Sequence, residues 1–214
     1  MAKLEAHRGY GKIYAWFFNT FSRLLYYLFS GGKRFPEIII NMVDFTGKRR
    51  ILDIGCGVGN LLVDIKSRLD REDNQVLLVG ADYSREMVKI ALRKFKENGQ
   101  PSFIICDAGN MPFKNNAFDI CFNVLLLHHL PLPMKIEVVK EVSRILTPDG
   151  VCMLMDVDKP TTILGWLIAF TRWHVLTIRE SLIHGLEELY LNAGLHPRAH
   201  IKKSGLFSYY VLAK

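Results

Sequence analysis

Three groups of residues in this chain are placed where they could do chemistry. The first is the run Ile51-Leu52-Asp53-Ile54-Gly55-Cys56-Gly57-Val58-Gly59-Asn60. Glycines at alternating positions permit a tight turn and close approach of a ligand to the backbone. A helix starting just beyond leaves its first N–H groups open to that ligand. Asp53 stands ahead of the first glycine, where its carboxylate suits a cationic ammonium or can brace the loop by accepting backbone N–H bonds. The spacing is G-x-G-x-G, not the G-x-G-x-x-G of nicotinamide-dinucleotide folds, which argues against a nicotinamide oxidoreductase.

The second group is two further acids, each closing a short apolar run. Asp82 follows Val76-Leu77-Leu78-Val79 and can accept both hydroxyls of a ribose, as acids do at this place in dinucleotide folds. Asp107, in Cys106-Asp107-Ala108, can receive the amino group of an adenine. The third group is the pair His128-His129, just past the apolar run Phe118–Val124, where an imidazole could take a proton from a reacting group. Adjacent side chains diverge, so at most one of the two should face a pocket, and both fit equally well as wall or surface residues. Cys56 is expected to be a small loop residue and not a nucleophile, and Asp119 to fix the start of its strand. His174 and His184 have no metal-ligand spacing. His196 and His200 are separated by Pro197 in an extended run, so no metal site is expected.

These groups need elements to hold them, and the periodicity supplies them. Short apolar runs at Ile51–Ile54, Val76–Val79, Phe103–Cys106, Phe118–Val124 and Val151–Asp156 read as buried strands. Helical patterns lie between them: one through Leu61, Leu62, Ile65 and Leu69, and one capped by Ser84 with Met87, Val88, Ala91 and Leu92 on one face. A third follows Pro131 and Pro133 with Met134, Val138, Val142 and Ile145. Thr147-Pro148-Asp149-Gly150 has the residues of a type I turn. Continuous apolar strands alternating with helices predict a parallel sheet covered on both faces. Beyond it come an apolar helical stretch over Thr161–Trp173, a helix over Ser181–Asn192 ended by Gly194, and an antiparallel hairpin near Arg198–Lys202 and Phe207–Leu212.

The chain has 214 residues, half of them hydrophobic, enough for one packed domain with an added cap. A net charge of +7 and a pI near 9.2 favour anionic partners, although the basic residues are scattered and also fit a plain solvated surface. Cys56, Cys106, Cys121 and Cys152 have no C-x-x-C spacing and read as buried free thiols in a reducing compartment. The run Tyr10–Ser30 contains Lys12, Asn19 and Arg23, so neither a signal peptide nor a membrane span is expected. Cytoplasmic, or peripheral to a membrane, is the expected location.

Taken in order, the glycine run, Asp82, Cys106-Asp107-Ala108, Phe118-Asp119 and Leu146-Thr147-Pro148-Asp149-Gly150 resemble the class I S-adenosylmethionine-dependent methyltransferases over Arg49–Val157. Asp82-Tyr83-Ser84 with Met87, and Leu127-His128-His129-Leu130, are similar to the small-molecule and lipid branch that includes ubiquinone/menaquinone-biosynthesis methyltransferases. The resemblance implies a Rossmann-like α/β fold: seven strands in the order 3-2-1-4-5-7-6, the last antiparallel, under an N-terminal helical cap of residues 1–45, with a lid near residues 160–180.

The resemblance also implies S-adenosylmethionine as cofactor and S-adenosylhomocysteine as product. Asp53, Gly55, Cys56 and Gly57 would lie at its methionine portion, and Asp82, Tyr83 and Met87 at ribose and adenine. Asp107 and Ala108 would meet the adenine edge, with Val124 under the sulfonium side. His128 and His129 are the catalytic candidates. Tyr10-Gly11-Lys12-Ile13-Tyr14 departs from the Tyr-Asp pairs of that branch, so neither tyrosine is given a cofactor role. The implied partner is a small apolar or lipid-like methyl acceptor. Aromatic residues on the helical stripe Tyr10–Phe29 and in Ile163–Trp173 would enclose it, with peripheral membrane contact through the basic surface. Nucleic acid is not favoured, because Asn123-Val124-Leu125-Leu126 lacks the Asn-Pro-Pro-Tyr element of amino-directed enzymes. An RNA methyltransferase and a cofactor-binding non-catalytic subunit stay open as alternatives.

Overall fold

The computed structural model describes residues 35–69, 76–95, 101–163, 166, 176–203 and 207–214. The aromatic stripe of Tyr10–Phe29 and most of the Thr161–Trp173 stretch lie outside them. A short helix, α1 (Phe35–Asn41), precedes the alternating core: β1 (Arg50–Ile54), α2 (Asn60–Leu69), β2 (Leu77–Asp82), α3 (Arg85–Lys94), β3 (Ser102–Ile105) and β4 (Phe118–Val124). A 3-10 turn (Leu127–His129), α4 (Leu132–Ile145) and β5 (Leu146–Val157) follow, then α5 (Leu176–His184), α6 (Glu187–Leu191), β6 (His196–Lys203) and β7 (Phe207–Ala213).

The strand order is β3-β2-β1-β4-β5-β7-β6, as expected. The pairs β1–β2, β1–β4, β2–β3 and β4–β5 are parallel, and β7 runs antiparallel to both β5 and β6. Residues of successive parity face opposite sides, so each strand feeds two cores. Ile51, Ile120, Phe122 and Met153 pack with Ile39 of α1 and Leu62 and Ile65 of α2. Leu52, Ile54, Cys121 and Leu154 pack on the other face with Val138, Val142 and Ile145 of α4 and with Tyr190 of α6.

Three details differ from the sequence expectation. On α3, Val88 and Ala91 are buried, but Leu92 is 48% exposed, so the apolar face is narrower than its pattern suggested. The Thr147–Gly150 turn interrupts a strand instead of preceding one. Phe118 pairs with Leu146 and Ile120 with Val151, so the four residues bulge out of β5. The helix expected over Ser181–Asn192 is two helices. Gly185 breaks it at φ +75°, and a Cβ there would sit 3.1 Å from the Asp158 carboxylate, which accepts the Leu186 N–H. Gly194, at φ +72°, ends α6 as the pattern predicted. No helix among the described residues is long and apolar enough to cross a membrane.

Candidate active site

The glycine loop is fastened to the end of β2 before any ligand arrives. Gly55 and Cys56 both donate N–H bonds to the Ala81 carbonyl, at 2.8 and 3.0 Å. Asp82 then reaches across: one carboxylate oxygen accepts the Gly57 N–H at 2.8 Å and the other accepts Ser84 N–H at 2.7 Å. A carboxylate has about four acceptor positions, and these two backbone bonds occupy one on each oxygen. Ser84 caps α3 by accepting the Met87 N–H, and Tyr83 before it is 45% exposed.

Gly57 has φ +52° and open space where a Cβ would stand, whereas a Cβ on Gly55 would come within 3.0 Å of Leu126. The loop is thus closed by protein at Gly55 and open at Gly57, the shape of a cradle for a ligand. Asp53 lies beneath it, 3% exposed and accepting no hydrogen bond from a described residue. Burial, and then the neighbouring Asp82 carboxylate, push its pKa up to about 8. Two neighbouring carboxyls, with no described basic partner for Asp53, make a charge pattern that a cation would suit. An S-adenosyl group with its ammonium and sulfonium fits that donor and charge pattern.

Asp107 accepts the Gly109 N–H at 2.9 Å and turns the chain after β3 beside Asp82, whose carbonyl accepts the Cys106 N–H. Ala108 packs partly buried against the α4 core, and Val124 packs partly buried on the α2 side at the end of β4. The sheet therefore brings Asp53, the glycine loop, Asp82, Tyr83, Asp107 and Val124 to its carboxyl edge. Burial, then Asp53 and Asp82, push the Cys56 thiol pKa far up, which opposes formation of a thiolate. Asp119 does what its position suggested, accepting Arg49 and Arg50 N–H bonds and pairing with the Arg50 guanidinium at 2.9 Å.

The histidines sit just beyond β4. Leu125 takes a left-handed φ of +57° and donates its N–H to Met155. That turn hangs Leu126 over Gly55 and starts the 3-10 turn bearing both imidazoles. Their rings stay in contact, with centroids 3.9 Å apart, but differ in burial. His129 is exposed, while His128 is buried with its Nδ1 2.7 Å from Asp156. Asp156 also accepts Leu127 N–H at 2.6 Å and Val157 N–H at 2.7 Å. Burial acts to raise its pKa, but the His128 charge and hydrogen bond, with Val157, hold it below the ordinary carboxylate value.

Sequence reading missed Asp156, although the signal was the same as for Asp53 and Asp82: an acid closing a buried apolar strand. It also missed Lys135, 1% exposed on α4, whose Nζ donates to the Thr177 carbonyl and to Ser181 Oγ of α5. No group of three or more potential metal ligands occurs among the described residues.

Residues 51–150 match the family described as Methyltransferase domain. That segment is a methyltransferase domain of the class whose methyl donor is S-adenosylmethionine. The domain is similar to "Probable tRNA methyltransferase 9B" of Homo sapiens, at 33% identity over 49% of this chain and 20% of that protein. It is also similar to the ubiquinone/menaquinone biosynthesis C-methyltransferase UbiE of Desulfotalea psychrophila, at 29% identity over 60% of this chain and 49% of that protein. The chain thus spans between a fifth and a half of these relatives. The domain's fold is shared with protein PH0226 of Pyrococcus horikoshii, with a TM-score of 0.61 at 19% identity over 95% of this chain and 92% of that one.

Proposed function

We propose that this chain transfers a methyl group from S-adenosylmethionine to a small, apolar or lipid-like acceptor. The observation that carries the reading is Asp53: a buried carboxyl beneath an open Gly57, with a second acid beside it. A ligand ammonium there would favour loss of the Asp53 proton and pair with the carboxylate. Asp82 would hold the ribose, Tyr83 and Met87 would flank the adenine, and Asp107 and Ala108 would meet its edge. Gly55, Cys56 and Gly57 would line the methionine portion, and Val124 the sulfonium side. When bound, the cofactor supplies an already activated methyl carbon, so the protein's task is to align the acceptor, exclude water and accept a proton where the acceptor must lose one.

The lipid-like acceptor is supported by the likeness to UbiE and by Ile163 and Trp166, 83% and 44% exposed in the segment after β5. A cap closing that apolar surface over the acceptor, with peripheral contact to anionic membranes, belongs to the same reading. Incubation of the chain with methyl-labelled S-adenosylmethionine and a cell extract tests it. Label is expected in the organic-soluble fraction. A second reading, RNA methylation, is favoured by the likeness to tRNA methyltransferase 9B and by the net charge of +7. Label confined to RNA, with salt-dependent RNA binding, would replace the first reading with the second.

A further inference from the structure

We propose that Asp156 is a positioning residue that fixes His128 as the Nδ1–H tautomer, so that His128 Nε2 is the atom that takes a proton from the methyl acceptor. The inference rests on the methyl-transfer reading and deepens it in two ways. It chooses between the two histidines, and it assigns the acceptor to a chemical class: one that must give up an O–H or an acidic C–H.

His128 has one nitrogen, Nδ1, committed to a buried carboxylate at 2.7 Å. An ionised carboxylate only accepts, so the neutral ring facing it carries its proton on Nδ1 and its lone pair on Nε2. Nε2 takes no hydrogen bond from a described residue, and it is not among the buried polar atoms that lack a partner, which leaves it on the ring's small accessible edge. The 3-10 turn that bears the ring begins next to the glycine loop, since Leu126, two residues before His128, would lie 3.0 Å from a Cβ on Gly55. Asp156 is itself held rigidly by the Leu127 and Val157 N–H groups, so the ring cannot turn without breaking bonds to a buried anion. His129 lies against it with ring centroids 3.9 Å apart. α5 is clamped across the same region by Lys135–Ser181 and by the Leu132 N–H bond to Glu180.

In the step this serves, the acceptor's proton moves to Nε2 and its bonding pair stays on the acceptor's oxygen or carbon. That pair forms the new bond to the methyl carbon, and the carbon–sulfur pair returns to sulfur. The ring becomes an imidazolium whose charge is matched by Asp156 without solvent.

The test uses the full chain, labelled with ¹⁵N-histidine and saturated with S-adenosylhomocysteine, its binding followed by calorimetry. Long-range ¹H–¹⁵N correlation spectra read each nitrogen, and His128→Gln assigns the signals. The expected result is a pyrrole-type Nδ1 and a pyridine-type Nε2 for His128, with the Nε2 modified by diethyl pyrocarbonate in the folded chain. In Asp156→Asn the signature should change toward the Nε2–H form that free imidazole favours. Should that variant fail to fold, the wild-type spectrum decides. A chain that binds S-adenosylhomocysteine but shows His128 as the Nε2–H tautomer, or His128 inert to the reagent, overturns the inference and leaves the methyl-transfer reading standing. Absence of S-adenosylhomocysteine binding instead overturns that reading.

Discussion

Two stretches of the same sheet edge handle their acids in opposite ways. On the half formed by β1, β2 and β3, Asp53 is buried without a described hydrogen-bond donor, and Asp82 adds to its burden. On the half formed by β5 and β7, the acids are saturated. Asp158 accepts Lys159 and Leu186 N–H bonds on one oxygen, and Ser208 and Tyr210 hydroxyls on the other. Asp156 is bonded by His128, Leu127 and Val157. One half holds a buried carboxyl that the described residues leave without a hydrogen-bond donor. The other is finished by the protein and serves to hold side chains still. Buried acids therefore mark both halves, and only the identity of their donors separates a ligand site from a brace.

The largest effect expected from this contrast is at the brace. Asp158→Ala leaves two buried hydroxyls and the Leu186 N–H without their acceptor, and should cost roughly 3 kcal/mol of stability. Denaturant unfolding measures it, and affinity for S-adenosylhomocysteine in the folded fraction should stay within about twofold. A large loss of affinity with full stability would reverse the roles of the halves. Asp82→Ala should do the opposite. Charge-assisted hydrogen bonds are worth about 1.5–3 kcal/mol each, so cofactor affinity should fall about tenfold or more by calorimetry while the fold persists.

Asp53 sharpens the comparison through pH. Its pKa is raised from 3.8 in the unfolded chain to about 8 in the fold. Between those values the folded state keeps a proton that the unfolded state has shed. Its contribution to stability is thus full below about pH 4 and is lost as pH rises toward 8. Melting temperature of the ligand-free chain should fall from pH 5 to 8 more steeply than in Asp53→Asn, and saturating S-adenosylmethionine should flatten the difference. Identical pH profiles for the two proteins would mean that Asp53 is not an unfinished charge. The smallest effect is expected at Lys135. Its pKa is lowered by burial, with Glu180 and Asp156 opposing, and an apolar replacement removes a desolvated cation along with its bonds. Lys135→Met should shift stability by only about 1 kcal/mol in thermal melts.

The contrast also explains what could be read from sequence. The β1–β3 half is built from local motifs: a strand, its closing acid and the turn that follows are contiguous, so Asp53, Gly57, Asp82 and Asp107 were all visible. Ser84 was legible as a cap because capping is a contact between near neighbours. The β5–β7 half is built from distant partners. His128 meets Asp156 across 28 residues, and Asp158 meets Tyr210 across 52, so no spacing rule announces either pair. Gly185 was hidden for the same reason: the carboxylate beside it comes from β5, and the helical pattern around it continues unbroken in sequence.

The central claim is that the unfinished acidic half is the seat of S-adenosylmethionine. Calorimetric titration of the full chain with S-adenosylmethionine, with NAD in parallel, tests it most directly. The account predicts saturable one-to-one binding of S-adenosylmethionine and no heat from NAD. Absence of S-adenosylmethionine binding, or NAD binding of equal strength, would contradict it.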